Sequence, residues 1–131
     1  MATRIRQKAE KRALNKDNRP YAVAKDIRMS SSKVRIVLDN IRGKSVNEAV
    51  AILTYMPQKG ASESLKVLKS AIANAENNKG LSADNLHVAE CYTTVGPQMK
   101  RVNFRGKGRV DHIIKRTCHI KIVLDEMKEA K

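Results

Sequence analysis

Aromatic side chains are almost missing from this 131-residue chain, which has no Trp, one Phe (Phe104) and three Tyr. Modules that read single-stranded nucleic acids stack bases on aromatic platforms, and this supply cannot build a large one. Cysteine is nearly as scarce. Cys91 and Cys118 are too few for a disulfide scaffold, so a reducing, cytosolic setting is the default. Long hydrophobic runs are lacking as well. The longest, Ala49-Val50-Ala51-Ile52-Leu53, falls far short of the ~18–20 residues that span a bilayer. No apolar segment follows the basic N-terminus, which argues against a secretory signal, and Glu10 and Asp17 argue against a transit peptide. A soluble protein with no membrane partner is expected.

Acidic residues are the last shortage, 13 against 27 Lys and Arg, for a net charge of +14. That excess is more than solubility requires and points to a polyanionic partner. With few aromatics, contact must run mainly through phosphates, sugars and shape. Such contacts position a protein on a folded nucleic acid without reading its sequence. Apolar residues make up 41%, enough for a modest core, and the length suits one domain.

The charge is unevenly placed. Residues 1–20 hold seven basic side chains against two acidic, and residues 96–121 hold eight against one. The middle is near neutral. The chain therefore divides into a basic tail over 1–20 and a single domain over 21–131, a near-neutral body that carries a second basic extension. The tail shows no sustained apolar period and is expected to order only on its partner. Its candidate phosphate contacts are Arg4, Arg6, Lys8, Lys11, Arg12 and Arg19.

The body opens with a strand pattern from Tyr21 to Ile27, with Tyr21, Val23 and Ile27 on one face. Ser30 has the character of an N-cap before Val34, Val37, Leu38 and Ile41, which recur at helical spacing, and Gly43 closes that helix. Ser45-x-x-Glu48 forms a capping box for a helix that stops before Pro57. A longer helix over 58–78 follows, with Ala61, Leu65, Leu68, Ile72 and Ala75 on its stripe and Gly80 at its end. Ala71, Ala73 and Ala75 leave room for a close neighbour.

The last third alternates with period two. Leu86, Val88 and Tyr92 share one face, and so do Ile120, Ile122 and Leu124. Setting Leu86 opposite Leu124 makes paired residue numbers sum to 210 and centres the turn on Arg105, beside Gly106 and Gly108. The arms of such a hairpin, about nineteen residues, reach roughly 60 Å, whereas a twenty-residue helix covers only ~30 Å. About half the hairpin, 96–116, thus has no part of its own chain to pack on. It holds seven basic residues and the single acid Asp111. A bare two-stranded ribbon is marginal in water, so burial in a polyanion is the stabilisation expected.

Catalysis finds little support. His87, His112 and His119 stand near no nucleophile motif or paired carboxylates. Neighbouring Cys118 and His119 point to opposite faces of a strand, which spoils a shared zinc site. No enzyme, metal or cofactor is expected. Lys100, Arg101, Arg105, Lys107 and Arg109 are the leading RNA contacts, with Lys115 and Arg116 at the base of the arm. On the first body helix Arg35 and Arg42 flank the apolar stripe, where a solvated face explains them as well as RNA contact does.

Several motifs in order resemble the bacterial large-subunit ribosomal protein twenty-two family. They are Ser30-x-x-Lys33-Val34-Arg35, Ile41-Arg42-Gly43-Lys44, and Lys69-Ser70-Ala71-Ile72-Ala73-Asn74-Ala75-Glu76-Asn77-Asn78. Further on come Gly96-Pro97-x-Met99-Lys100-Arg101, Gly106-Lys107-Gly108-Arg109 and Lys115-Arg116-Thr117-x-His119-Ile120. The likeness runs from about Tyr21 to Leu124. It implies an α+β fold, three helices packed on a small three-stranded antiparallel sheet with a long protruding β-hairpin. It implies a place in the cytoplasmic ribosome, on the outer face of the large subunit near the exit, as a structural constituent that aids assembly.

The implied partners are large-subunit ribosomal RNA, neighbouring proteins including ribosomal protein four, and the nascent peptide, with no homo-oligomer. Lys33, Arg35, Arg42, Lys44 and His119 join the RNA-binding set on this basis. The implied tunnel lining is Met99, Lys100, Arg101, Val102, Asn103, Phe104, Arg105 and Gly106, a region associated with macrolide response. Asn103-Phe104 stands where the family often has Met-Pro, and Ser31 where it often has Pro. The alternatives from other classes are an architectural DNA-binding protein with a β-arm and an RNA-processing enzyme. The first usually needs a dimer stripe and the second a catalytic group, and neither is evident.

Overall fold

Caps and apolar stripes in the middle of the chain produce helices close to where the spacing predicts them. A computed structural model describes residues 2–15 and 17–127. Met1 and residues 128–131, at the outer ends of the expected tail and body, lie outside the described residues. In chain order the elements are α1 (Ala2–Leu14), β1 (Tyr21–Ile27), α2 (Ser31–Asp39), α3 (Val46–Tyr55) and α4 (Lys59–Lys79). They continue with β2 (Leu86–Val95), β3 (Met99–Phe104), β4 (Val110–Lys115) and β5 (Cys118–Glu126).

The Ser45 hydroxyl accepts the Glu48 N–H at 3.3 Å, as the capping box predicts. Ser30 holds the N-cap position of α2, but its hydroxyl makes no cap bond. Gly80 ends α4 in the left-handed conformation at φ 66°, and N–H bonds from Gly80 to Glu76 and from Leu81 to Ala75 satisfy carbonyls of the last turns. Gly43 has a different role from the one expected. Its φ is +75°, yet it lies beyond the end of α2 and donates its N–H to the Val88 carbonyl at 2.9 Å, tying the helix to β2.

β5 is the centre of a three-stranded antiparallel sheet ordered β1-β5-β2. Ile120, Ile122 and Leu124 point into the core with Val34, Leu38, Leu53 and Leu68 from the helices, all essentially buried. Each such side chain contributes roughly 1.5–3 kcal/mol, so the body has a core of its own. The α4 stripe is centred on Ala61, Ser64, Val67, Leu68, Ala71 and Ala75. Leu65 and Ile72 pack at its margin, and Ala73 is exposed.

Three readings of the strands need correction. In β1 it is Ala22 and Ala24 that face inward, while Tyr21 and Val23 face solvent. The small alanines let α4 lie close, and Asn74 on α4 donates to the Tyr21 carbonyl at 3.0 Å. Asp26, at φ +56°, interrupts the ladder and brings Ile27 back against the core. In β2 an irregularity between Val88 and Glu90 reverses the alternation, so that Cys91 is buried and Tyr92 exposed.

The hairpin register also differs. Val88, not Leu86, pairs with Leu124, giving a sum of 212. The same irregularity raises the sum to 213 at Cys91 and Ile122. Three residues on one side and two on the other separate this ladder from the next, where Met99 pairs with Lys115 at a sum of 214. The turn is therefore centred on Lys107, not Arg105.

The fold is α+β, and among the described residues it has four helices, three in the body and one more than expected in the tail. The tail, expected to lack order of its own, is helical over Ala2–Leu14. Residues 3–15 are all exposed, so packing does not hold this helix. Its Ala, Arg, Lys, Gln and Glu content supplies the local propensity instead.

Candidate nucleic-acid interface

Body and arm meet at a tight joint. The Gly96 N–H donates to the Thr117 carbonyl at 2.9 Å, and the Thr117 hydroxyl donates to the Pro97 carbonyl. A Cβ on Gly96 would fall 2.6 Å from Thr117 Oγ1, so only glycine fits. Thr117 is buried, yet every residue from Pro97 through Arg116 is exposed. β3 and β4 form a separate two-stranded sheet with an unbroken ladder from Met99↔Lys115 to Phe104↔Val110.

At the tip, the Arg105 N–H donates to the Arg109 carbonyl at 2.8 Å. Lys107 (φ 58°) and Gly108 (φ 72°) complete the reversal in left-handed conformations. Phe104 is 82% exposed. Paired residues share a face, so Lys100, Val102, Phe104, Val110, His112 and Ile114 lie on one side. Met99, Arg101, Asn103, Asp111, Ile113 and Lys115 lie on the other. Asp111, the arm's single acid, is 2.6 Å from Arg105 Nε. Among the described residues, no carboxylate pairs with Lys100, Arg101, Lys107, Arg109, Lys115 or Arg116. Arg28 donates to the Arg116 carbonyl at the foot.

The remaining candidate residues fall into two groups. Arg4, Arg6, Lys8, Lys11 and Arg12 are exposed on α1, with Arg6 only loosely paired to Glu10 at 3.9 Å, and Lys33, Arg35 and Lys44 are exposed on the body. Arg19 and Arg42, in contrast, are fastened to their own chain. Arg19 lies 2.8 Å from Asp17 and 2.7 Å from Glu90. Hydrogen bonds from its side chain and backbone lower the Asp17 carboxyl to a pKa of about 2. Arg42 lies 3.0 Å from Asp39 and donates to the Cys91 carbonyl at 3.0 Å. Nδ1 of His119 accepts the Asp26 N–H at 3.0 Å.

Burial pushes both thiols up, Cys91 against the helices and Cys118 at the start of β5. Among the described residues no group of three His, Cys, Asp or Glu side chains stands close enough to hold a metal ion. A further cluster escaped the sequence reading. Tyr21, Val23, Tyr92 and Lys121 gather on the outer face of the sheet, because the irregularities in β1 and β2 reverse the alternation expected there.

A basic ribbon beyond a folded body is the arrangement expected of a ribosomal protein, and the family comparison decides the matter. Residues 22–125 match the family described as ribosomal protein L22p/L17e. The chain belongs to this family. It is thus a ribosomal protein, a structural component rather than an enzyme. Similar curated proteins are named large ribosomal subunit protein uL22. That of Thermotoga sp. (strain RQ2) is 56% identical over 109 residues, covering 82% of this chain and 69% of its own length. That of Clostridium novyi (strain NT) is 53% identical over 105 residues, 80% of this chain and 95% of its own. Carboxydothermus hydrogenoformans has one 56% identical over 108 residues, 82% of this chain and 96% of its own. The family match starts after α1 and spans the joint and the whole arm.

Proposed function

We propose that the chain is a constituent of the large subunit of the cytoplasmic ribosome, where its arm is embedded in large-subunit ribosomal RNA and helps that RNA fold during assembly. The observation that carries this reading is the arm itself. It is a hydrogen-bonded ribbon with no buried residue, and among the described residues six of its basic side chains have no carboxylate partner. An isolated ribbon is marginal, and neutralising phosphates supplies the missing stabilisation. Family membership and the relatives' names support the subunit assignment.

In the finer reading, the segment Met99–Gly106 lines the peptide exit tunnel. Phe104 faces the nascent chain or RNA bases, and ribosomal protein four stands across the constriction. Lys33, Arg35 and Lys44 on the body, and the five bases of α1, add phosphate contacts outside the tunnel. Arg19 and Arg42 contribute less directly, since each already has a partner within the chain, while His119 has only its Nδ1 engaged.

Sedimentation with large subunits tests the assignment. The full chain should travel with subunits depleted of their own copy, and removing residues 98–115 should leave weak binding through the body. Failure to associate with depleted subunits would overturn the reading. Crosslinks from position 104 to a stalled nascent chain test the tunnel, and crosslinks obtained only from the helices would defeat it.

A further inference from the structure

The outer face of the three-stranded sheet holds an organised cluster separate from the arm and the helices. Val23 on β1 lies opposite Lys121 on β5, which in turn lies opposite Tyr92 on β2. Tyr21 precedes Val23 by two residues on the same face. Lys121 Nζ is 5.1 Å from the centre of the Tyr21 ring and 5.6 Å from that of Tyr92, within cation–π range of both. The rings are half exposed, at 50% and 42%. Val123, in the next row, is 1% exposed although it lies outside the main core. The face is therefore a packed platform.

Its chemistry is cationic and aromatic. Lys25, Thr94 and His119 join Val23, Tyr92 and Lys121 around an open groove of about 370 Å³. Of the nearby acids, Glu90 is engaged by Arg19 at 2.7 Å, and the exposed Asp26 carboxylate stands 3.9 Å from His119 Nδ1, beyond hydrogen-bond distance. Among the described residues, Lys25 and Lys121 have no carboxylate partner. Because His119 Nδ1 accepts the Asp26 backbone N–H, the neutral ring carries its proton on Nε2 and can donate there.

We infer that this face is a second RNA-binding surface, taking one strand of ribosomal RNA across the sheet. Lys25 and Lys121 hold phosphates, His119 Nε2 donates to a phosphate or a 2′-hydroxyl, and Tyr21 and Tyr92 carry a base or ribose. An acidic peptide would need only the cations. Two exposed rings flanking a lysine are what base stacking uses. The platform also adjoins the arm, since a Cβ on Gly96 would lie 3.2 Å from His119 Cε1. A strand leaving the arm's foot thus meets the groove at once. The inference rests on the reading that ribosomal RNA is the partner.

The test compares full-length variants binding transcribed large-subunit ribosomal RNA across a salt series, with thermal melting to confirm folding. Lys25→Gln with Lys121→Gln should flatten the dependence of log affinity on log salt by about 1.4, at ~0.7 per phosphate on a single strand. Tyr21→Leu with Tyr92→Leu should weaken binding about tenfold or more with the slope unchanged, and it remains decisive if the lysine pair fails to fold. Lys107→Gln with Arg109→Gln serves as the arm control. If the control loses slope while both sheet variants bind like wild type, the second surface is overturned and the reading of RNA as partner stands. If wild type does not bind RNA at all, that underlying reading has failed. Photo-crosslinks from position 25 in assembled subunits should reach RNA. Crosslinks that reach only protein would overturn the inference in favour of an acidic protein partner.

Discussion

Arg105 Nε stands 2.6 Å from Asp111 Oδ2, so the only carboxylate on the arm is held by a guanidinium across the turn. Both side chains are more than half exposed, and pairs of that kind contribute at most about 1 kcal/mol. The pair orients the tip and removes one cation from the set free to meet phosphate. Asp111→Asn should leave the melting temperature of the body unchanged while speeding hydrogen exchange at the tip amides. RNA binding at low salt should tighten a few-fold, because Arg105 becomes available. Unchanged exchange at the tip would show that the pair does not order the turn.

The joint at Gly96 is the second place to intervene. Gly96→Ala places a methyl group against Thr117 Oγ1 and the Thr117 backbone, an overpacking that costs roughly 1–3 kcal/mol. Thr117→Val keeps the bulk but removes the bond to Pro97. The first should lower the melting temperature and the second mainly loosen the arm. Denaturant unfolding paired with hydrogen exchange separates the two effects.

These positions also show how far the sequence is legible. The helices could be read because Ser45, Gly80 and the apolar stripes act locally, and local signals need no knowledge of the partner element. The overhanging arm could be read because its length exceeds any helix available to cover it. Strand faces could not. Asp26 and the irregularity after Val88 each disturb a period-two pattern, and neither leaves a mark in composition. The same irregularities hid the pairing of Tyr21 and Tyr92 about Lys121, whereas the turn falls on Lys107 rather than Arg105 mainly because Leu86 pairs with Glu126, two residues from Leu124. The tail helix was missed because it buries nothing, so its sequence carries no apolar stripe to find.

The two serine caps make a direct contrast. Ser45→Ala removes the bond to the Glu48 N–H and should cost about 1 kcal/mol. Ser30→Ala should cost much less, since its hydroxyl makes no cap bond. Equal losses in urea titrations would contradict this assignment of roles.

Both thiols should be nearly inert in the folded protein. Burial raises their pKa values and closes access, so little thiolate forms at neutral pH. Alkylation followed by mass spectrometry should show slow modification of Cys91 and Cys118 natively and rapid modification in denaturant. Fast native labelling would mean that the sheet opens.

Acid should release the Asp17–Arg19 clamp. The folded pKa of Asp17 is lowered from 3.8 to about 2, so its contribution is fully present above about pH 4 and lost as pH falls through 2. NMR titration should find the Asp17 midpoint near 2, moving up toward 3.8 in Arg19→Gln. A wild-type midpoint near 3.8 would show that the clamp is open in solution.

A density map of the large subunit assembled with this chain is the most direct test of the claim that the arm is held by RNA and the body by its own core. Residues 97–116 should be enclosed by ribosomal RNA, with Lys107 and Arg109 against phosphates and Phe104 at the tunnel wall, on a body unchanged from the free protein. An arm projecting into solvent, with RNA meeting only the helices, would contradict it.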